Sequence, residues 1–412
     1  MKILVIGNGF DLAHKLPTAY TDFLEFMSVM RREDSASERS NEIPDEQTMK
    51  RIYDRLPAIY KNKTEQVDGY DYHRMEEVCC CFSKKIKFYM AKMLSDYLKK
   101  VPSVAYGFND IEKHICFSQD EYIEYSIKLS KGSSLNNKWF EYFEKKLNDK
   151  RLRGINWVDF EAEIKDVIQS LEHKLIKSKD GGTPLNLRDF KNIDSLMNLN
   201  EKILIDLDCK GNFINPLDED LNLLIDCLEI YMQLIDKMCI GLLSPDLRFD
   251  KFDKVVSFNY TDCYHDFYQR ELKKNDIDFI HGKAGDHNLV LGIDETLKNE
   301  NDISNELSCI KFKKYFQRIY KYTGIKYIDW LENADENSEI VIFGHSLDCT
   351  DGEILEKLIT CARISKTTIY YYNDEAHAKQ ILNLVKILKK DELIKRTGKK
   401  NIVFRRQAQM LI

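Results

Sequence analysis

The chain has 412 residues, of which 43% are hydrophobic and 32% charged, and its formal net charge at pH 7 is −6. This composition is typical of a globular protein, and without a basic face it argues against a nucleic-acid binder. No window reaches the roughly 18 apolar residues of a membrane span, and no secretory segment precedes the first apolar run, so we expect a protein without membrane contact.

Strand-like segments lie at the two ends of the chain. The first is Lys2–Ile6, and the others are residues 254–258, 278–280, 289–291, 339–343, 367–372 and 402–404. Short, nearly continuous apolar runs that end in small or polar residues are typical of buried parallel strands. Helical stretches at residues 352–362 and 375–389 separate the last three. This alternation predicts right-handed βαβ units in a doubly wound, mostly parallel α/β sheet.

The middle of the chain has a different pattern. Residues 75–98, 157–176 and 217–243 each place apolar side chains at helical spacing along one stripe. We therefore predict a discontinuous α/β domain made of residues 1–30 plus 245–412. A large helical insertion domain, residues 31–244, separates its two parts.

A glycine turn, Gly7-Asn8-Gly9, follows the first strand and precedes a helix-compatible segment. The free N–H groups at a helix N-terminus bind phosphate, and glycine lets the backbone approach a ligand closely. A dinucleotide fingerprint would have a third glycine where this chain has Leu12, so the motif is partial. Asp11 either caps the helix or accepts hydrogen bonds from ribose hydroxyls. The turn predicts a nucleotide site.

Polar residues follow four further strands of the predicted sheet. Taken singly, each fits an ordinary turn, but the carboxyl ends of parallel strands meet at one edge, where such sheets bind ligands. Four such endings after a glycine turn favour a shared site. The candidate residues from these endings are Asn259, Asp262, His281, Gly344, Ser346 and Asn373.

The segment from Gly344 to Asp348 also supports a competing hypothesis. It approaches the nucleophile elbow of serine hydrolases, with Ser346 as nucleophile and with Asp351 and His377 following in the required order. The fifth position of that motif is a glycine, because the turn packs tightly there, and this chain has Asp348. A serine hydrolase is therefore the outside alternative.

The eleven cysteines are not spaced as metal ligands. The sequence contains no CxxC motif, and three cysteines are adjacent, at positions 79, 80 and 81. Adjacent side chains cannot all face one metal or one partner. We therefore expect reduced thiols in a cytoplasmic protein, and no metal.

Several of these segments together resemble a known family. The opening, Ile6 to His14 followed by Leu16-Pro17-Thr18, is similar to that of the AbiH family of bacteriophage abortive-infection proteins. Four later blocks resemble that family too, and they are 157–161, 257–261, 281–282 and 343–348. The resemblance implies an antiviral defence role, although the family name describes a phenotype and not a reaction. It also implies a phage or host trigger protein as a partner.

A more distant resemblance implies a chemistry. The order of a glycine turn, a strand-end Asn, His-Gly, Gly-x-Ser and Asn-Asp is similar to the sirtuin-like NAD-binding fold, a variant of the Rossmann sheet. In that fold the positions of Asn259 and His281 surround the nicotinamide ribose, and those of Gly7 and Gly9 hold the pyrophosphate. Residues at the positions of Gly344, Ser346 and Asn373 lie near phosphate, ribose or adenine. The resemblance thus implies NAD as substrate or ligand.

The departures from the sirtuin pattern restrict the reaction. Serine is usual where Asp11 stands, Thr-Gln is usual where Ser257-Phe258 stands, and the paired CxxC zinc motif is missing. Protein deacetylation is therefore disfavoured, and hydrolysis of the nicotinamide N-glycosidic bond is the better inference.

Such a cleavage passes through an oxocarbenium-like transition state. Asn259 would orient water or ribose, and His281 would accept a proton. Asp11 or Asp262 would add negative potential beside the developing cation. Besides the serine hydrolase, two rivals remain, namely a non-catalytic module that senses NAD or ADP-ribose and a scaffold without a ligand. The helical insertion is the natural place for a partner or for self-assembly into a homo-oligomer.

Overall fold

The computed structural model describes eight segments of the chain. They are residues 1–31, 72–100, 118–133, 137–148, 161–168, 214–239, 249–293 and 310–407. Residues 157–160, which open one of the AbiH-like blocks, lie outside the described segments, as do residues 169–176 of the helix predicted there.

Six parallel strands form the sheet. They are β1 (Lys2–Ile6), β2 (Lys254–Ser257), β3 (Ile277–Phe279), β4 (Ser338–Phe343), β5 (Ile364–Tyr371) and β6 (Ile402–Arg406). Their order across the sheet is β3-β2-β1-β4-β5-β6, and every neighbouring pair is parallel. The predicted α/β class with a mostly parallel sheet is confirmed, and six of the seven predicted strands are present.

The seventh predicted strand, residues 289–291, is wrong. These residues form a buried loop whose backbone groups are satisfied without a neighbouring strand. Val290 N donates to the His281 carbonyl at 2.8 Å, and the Gln317 side chain bonds both the N–H and the carbonyl of Leu291 at 3.0 Å. An apolar run indicates burial and does not by itself indicate a strand. Here the Gln317 side-chain amide makes the hydrogen bonds that a neighbouring strand would otherwise make.

Both faces of the sheet are covered, because successive side chains of a strand point to opposite sides. In β1, Leu4 and Ile6 belong to one apolar core, whereas Ile3 and Val5 belong to the other. Strands β2 and β4 divide in the same way. Burial on both faces explains why these strands are apolar without alternation.

Thirteen α-helices are described. In chain order they are α1 (Asn8–Ala13), α2 (Tyr20–Arg31), α3 (Tyr72–Lys100), α4 (Gln119–Gly132), α5 (Lys138–Asn148), α6 (161–168), α7 (Ile214–Cys239), α8 (Cys263–Tyr268), α9 (Lys314–Lys321), α10 (Lys326–Glu332), α11 (Gly352–Thr360), α12 (Asp374–Leu388) and α13 (Lys390–Gly398). None of these helices combines the length and the apolar composition that a transmembrane segment requires.

The helices divide between the two faces. Helices α10 to α13 pack on the face of Ile3 and Val5. Helices α1 to α8 pack on the other face, where Leu4 and Ile6 share one continuous core with Trp139 of α5 and Tyr231 of α7. The described helices of the predicted insertion therefore share one continuous apolar core with this face of the sheet.

The direction of the strand order reverses between β1 and β4. The chain leaves β1 toward one edge and leaves β4 toward the other, so the loops after these two central strands diverge. Such a point opens a crevice at the carboxyl end of a parallel sheet.

Candidate functional site

A cavity of about 230 Å³ lies at this crevice. Its walls are the segments that follow β1, β2, β3 and β4, and helices α6 and α7 contribute Glu161 and Met232 opposite the sheet. The lining residues are Gly7, Asn8, Gly9, Asp11, Leu12, Thr18, Glu161, Met232, Phe258, Asn259, Tyr260, His281, Gly344, His345, Ser346 and Asp351. The crevice predicted from the strand endings is thus present as a cavity.

The glycines of the first turn form a contact between two loops. Gly9 N donates to the Gly344 carbonyl at 2.7 Å, and a Cβ on Gly9 would lie 2.7 Å from that same oxygen. Gly344 itself has φ of +67°, a conformation that favours glycine. The N–H groups of Gly7 and Phe10 also donate to protein carbonyls, at 3.2 and 2.8 Å. The close approach that requires glycine here is therefore to the neighbouring loop.

Asn259 and Asp11 present buried polar atoms that lack partners. Asn259 is 5% exposed, Asp11 is 1% exposed, and both line the cavity. Thr261 Oγ1 donates to Asp11 Oδ2 at 2.8 Å. Asp11 Oδ1 and both polar atoms of the Asn259 amide make no hydrogen bond of good geometry among the described residues, although the amide lies near enough to Asp11 to favour its ionised form. Buried polar groups are nearly always satisfied, so these atoms point to a bound polar ligand or water.

Burial raises the pKa of Asp11 to about 7, because the charged carboxylate loses its hydration. The Thr261 hydroxyl and the nearby Asn259 amide favour the ionised form and oppose this rise only in part. Near neutral pH the Asp11 carboxyl is therefore present in both its protonated and its ionised form.

His281 is held by a carboxylate. Its Nε2 lies 3.0 Å from Asp351 Oδ1. Burial opposes ionisation of Asp351, but the Lys314 ammonium and His281 outweigh it and hold the pKa of that carboxyl well below its usual range. Since Asp351 is ionised, Nε2 carries the hydrogen. Burial and the Lys314 charge lower the pKa of His281 despite Asp351, so the ring is neutral and its lone pair is on Nδ1.

A buried charge cluster continues behind His281. The ammonium of Lys314 lies 2.9 Å from Asp351 Oδ1 and 2.8 Å from Glu161 Oε2, and His345 Nε2 lies 3.7 Å from Asp351 Oδ2. Burial raises the pKa of Glu161 more than its share of Lys314 lowers it. Burial also lowers the pKa of His345 to about 4, so this second ring is neutral too.

Two members of this cluster, Lys314 and Glu161, are not among the site residues predicted from the sequence. Lys314 is the last of three lysines in the segment Lys311–Lys314, and nothing in that pattern marks it as the buried one. Asp351 was considered only as part of a serine triad. The available signal was its position seven residues beyond Gly344, in the loop of a strand already assigned to the site.

Eight of the ten predicted site residues line the cavity together. They are Gly7, Asn8, Gly9, Asp11, Asn259, His281, Gly344 and Ser346. The other two lie elsewhere. Asp262 pairs with Lys283, and its backbone N–H donates to Asp236 Oδ1 at 3.0 Å. Asn373 caps α12 by accepting from Ala376 N at 2.8 Å, the bond that makes Asn common at helix starts.

The structure does not assemble the serine triad of the competing hypothesis. Asp351 bonds His281 and Lys314. His377 stacks on Tyr371 with 4.3 Å between the ring centroids, and its Nε2 has no hydrogen-bond partner within the described segments. In addition, the positive φ angles of the loop occur at Gly344 and Leu347 and not at Ser346. The strained serine of a nucleophile elbow is therefore missing.

The charge of the cavity wall is acidic. Asp11, Glu161 and Asp351 line it, whereas none of the described lining residues is an arginine or a lysine. In the parts of the chain that the structure describes, no three His, Cys, Asp or Glu side chains are arranged to hold a metal ion. Asp351 is paired with Lys314, and burial raises the pKa of Asp11 and Glu161, so the wall offers carboxyl groups and no lining cation that would bind phosphate.

Comparison with known proteins gives one match. The family model described as bacteriophage abortive infection AbiH matches residues 3–373, which confirms the resemblance carried by the glycine turn and the later blocks. No curated protein and no solved structure matches the chain. The family indicates a role in defence against bacteriophage by abortive infection. Because the match covers far more than half of the sequence, this protein belongs to the AbiH family.

Proposed function

We propose that this protein binds NAD in the cavity and hydrolyses its nicotinamide N-glycosidic bond as its contribution to phage defence. The carrying observation is that the Asn259 amide and Asp11 Oδ1 lack hydrogen-bond partners and are buried in a carboxyl-lined cavity that also contains the neutral His281. These groups match the needs of a ribose, a water and a developing cation.

The strand order supports a nucleotide ligand. The order 3-2-1-4-5-6 is that of Rossmann dinucleotide-binding sheets, which hold their ligand at the point where the order reverses. The cavity lies at this point, beside the loops after β1 and β4. This observation favours a Rossmann-like core of the sirtuin type.

The size and charge of the cavity favour one end of NAD. A volume of about 230 Å³ is below the roughly 300–1,000 Å³ usual for small-molecule sites. It fits a nucleoside-sized group better than a complete dinucleotide. The carboxyl-lined wall favours the pyridinium ring of nicotinamide and its ribose. The phosphates of NAD would then lie at the mouth of the cavity.

The proposed reaction uses the residues that face the cavity. Water attacks C1′ of the ribose while the bond from C1′ to the nicotinamide nitrogen breaks, and its electron pair neutralises the pyridinium. His281 Nδ1 accepts a proton from the attacking water, and the Asn259 amide orients the water or the ribose hydroxyls. The Asp11 carboxylate stabilises positive charge on the sugar. The products are nicotinamide, ADP-ribose and a proton.

The test is incubation of the purified protein with NAD, with nicotinamide and ADP-ribose separated by chromatography. We expect Asn259→Ala and His281→Ala each to lower turnover by about 100-fold or more, because each removes a group that acts in the transition state. Asn333→Ala is the matched control, since this exposed asparagine at the end of α10 is remote from the cavity lining.

The outcomes separate the proposal from its rivals. Nicotinamide release by wild type and by Asn333→Ala, but not by the cavity variants, supports hydrolysis. NAD that binds by calorimetry without cleavage contradicts hydrolysis and supports a sensor of NAD or ADP-ribose. The absence of binding contradicts both.

A further inference from the structure

Lys314 is a completely buried cation directly behind the cavity. It is 0% exposed, and its ammonium lies between Asp351 Oδ1, at 2.9 Å, and Glu161 Oε2, at 2.8 Å. It does not line the cavity, so it has no contact with a ligand there. Lys314 can affect the cavity only through its neighbours, and one of them, Asp351, is hydrogen-bonded to His281.

A buried ion triad is a poor device for stability alone. Removing charged groups from water costs several kcal/mol per ion in proteins, and a well-packed apolar substitute is often as stable. Two carboxyl groups share this one lysine, and because burial raises the pKa of Glu161, the charged pair of the cluster is Lys314 with Asp351. A role in setting the protonation state of His281 would account for a buried ammonium at Lys314.

His281 responds to charges from several elements. Burial opposes its protonated form most strongly, Lys314 opposes it next, Asp351 favours it, and Arg318 opposes it more weakly. The neutral His345 also faces the same carboxylate. The groups facing the cluster are Asp351, Lys314, Arg318, His345, Glu161 and Asp348. Without Lys314, one of the two largest influences against a proton on His281 is gone, and burial is left as the main opposition to Asp351.

We propose that Lys314 is a positioning residue that keeps His281 neutral, with its Nε2 hydrogen directed to Asp351 and its Nδ1 lone pair free to accept a proton. This inference rests on the proposed function for its catalytic meaning. Lys314 supplies the positive charge that lets Asp351 orient the ring without protonating it. The pH at which the site becomes active is therefore set by a residue outside the cavity.

The test measures the state of His281 directly by NMR of protein labelled with ¹⁵N in histidine. The His281 signals are assigned by their loss in His281→Gln. The lysine-free variants are Lys314→Met and the double variant Lys314→Met/Glu161→Gln. The double variant also removes the carboxyl group of Glu161, which would lose its lysine partner in the single variant, and it is the lysine-free protein to measure if the single variant does not fold. Lys314→Arg keeps the positive charge and serves as the conservative rescue.

In wild type we expect the Nε2-protonated tautomer, with protonation only below the usual range near pH 6.5. In both lysine-free variants the midpoint of the His281 titration should rise by more than about one pH unit, and Lys314→Arg should restore it. The acidic limb of the pH–rate profile for nicotinamide release should move with it. An unchanged midpoint in the lysine-free variants, or the hydrogen on Nδ1 in wild type, would overturn the proposal. Since NMR needs no substrate, this result is independent of whether NAD is cleaved.

Discussion

Asp11 links the chemistry of the cavity to the stability of the fold. Its carboxyl is 1% exposed, and burial raises its pKa from 3.8 to about 7. Between these two pH values the folded protein holds a proton that the unfolded chain releases. The free energy of unfolding therefore falls as the pH rises through this window. Above pH 7 it stays lowered by the full amount, because the buried carboxyl is ionised in the folded protein.

Asp11→Asn should consequently stabilise the ligand-free protein at high pH. A difference of about three pKa units corresponds to at most roughly 4 kcal/mol, so we expect a gain of a few kcal/mol at pH 8 that disappears near pH 4. Urea denaturation at both pH values measures it. Asp329→Asn, at an exposed position in α10, is the control. An equal effect of Asp11→Asn at the two pH values would contradict the raised pKa of Asp11 in the folded protein.

At the scale of elements, the contact between the loops after β1 and β4 builds the site. Gly9 lies in α1, where alanine would normally be favoured over glycine by about 1 kcal/mol. The Cβ of an alanine there would meet the oxygen, at 2.7 Å, and the Cα, at 2.8 Å, of Gly344. Because both are backbone atoms, the two loops would have to separate.

We therefore expect Gly9→Ala to lower the free energy of unfolding by more than about 1 kcal/mol, against its helix propensity. Gly398→Ala provides the matched control, since a Cβ at Gly398 meets nothing within 4 Å and should be neutral or stabilising. Chemical denaturation of both variants gives the comparison. If the two substitutions had equal effects, the loops would not be in the close contact described.

At the scale of the whole molecule, the sheet and the helices of the middle region share a core. Leu4 and Ile6 of β1 belong to the same apolar cluster as Trp139 of α5 and Tyr231 of α7. Glu161 of α6 also joins the charge cluster of the sheet loops, 2.8 Å from Lys314. On this face of the sheet, the strands and the described middle helices complete one core together.

The chain should accordingly unfold in one cooperative transition. Trp139 lies in the shared core and Trp330 on the opposite face, in α10. In Trp139→Phe, we expect the thermal unfolding transition measured by the fluorescence of the remaining tryptophans to coincide with the transition measured by far-ultraviolet circular dichroism. We expect the same agreement between the two probes in Trp330→Phe. Transitions that separate by probe within one variant would show that the helical and sheet parts unfold independently.

The local chemistry of the sequence was sufficient for the elements and for much of the site. Apolar runs bounded by small and polar residues predicted six strands, because burial on both faces of a parallel sheet leaves no other pattern. Polar residues after those strands predicted Asn259 and His281 in one crevice, since parallel strands bring their carboxyl ends to the same edge. The run at 289–291 misled because burial and strand pairing leave the same apolar signature.

The tertiary structure alone decided which groups are partnered. Lys314 is one lysine among three in its segment, and it became the buried cation only when Glu161 and Asp351, distant in the chain, met around it. Asn373 and Asn259 both follow strands, yet one caps a helix and the other is left without a partner inside the cavity. Burial, partners and pKa depend on neighbours brought together across the fold, whereas strand and turn preferences are local. The sequence therefore determined where the chain could place a site, and the packing of remote segments determined its electrostatics.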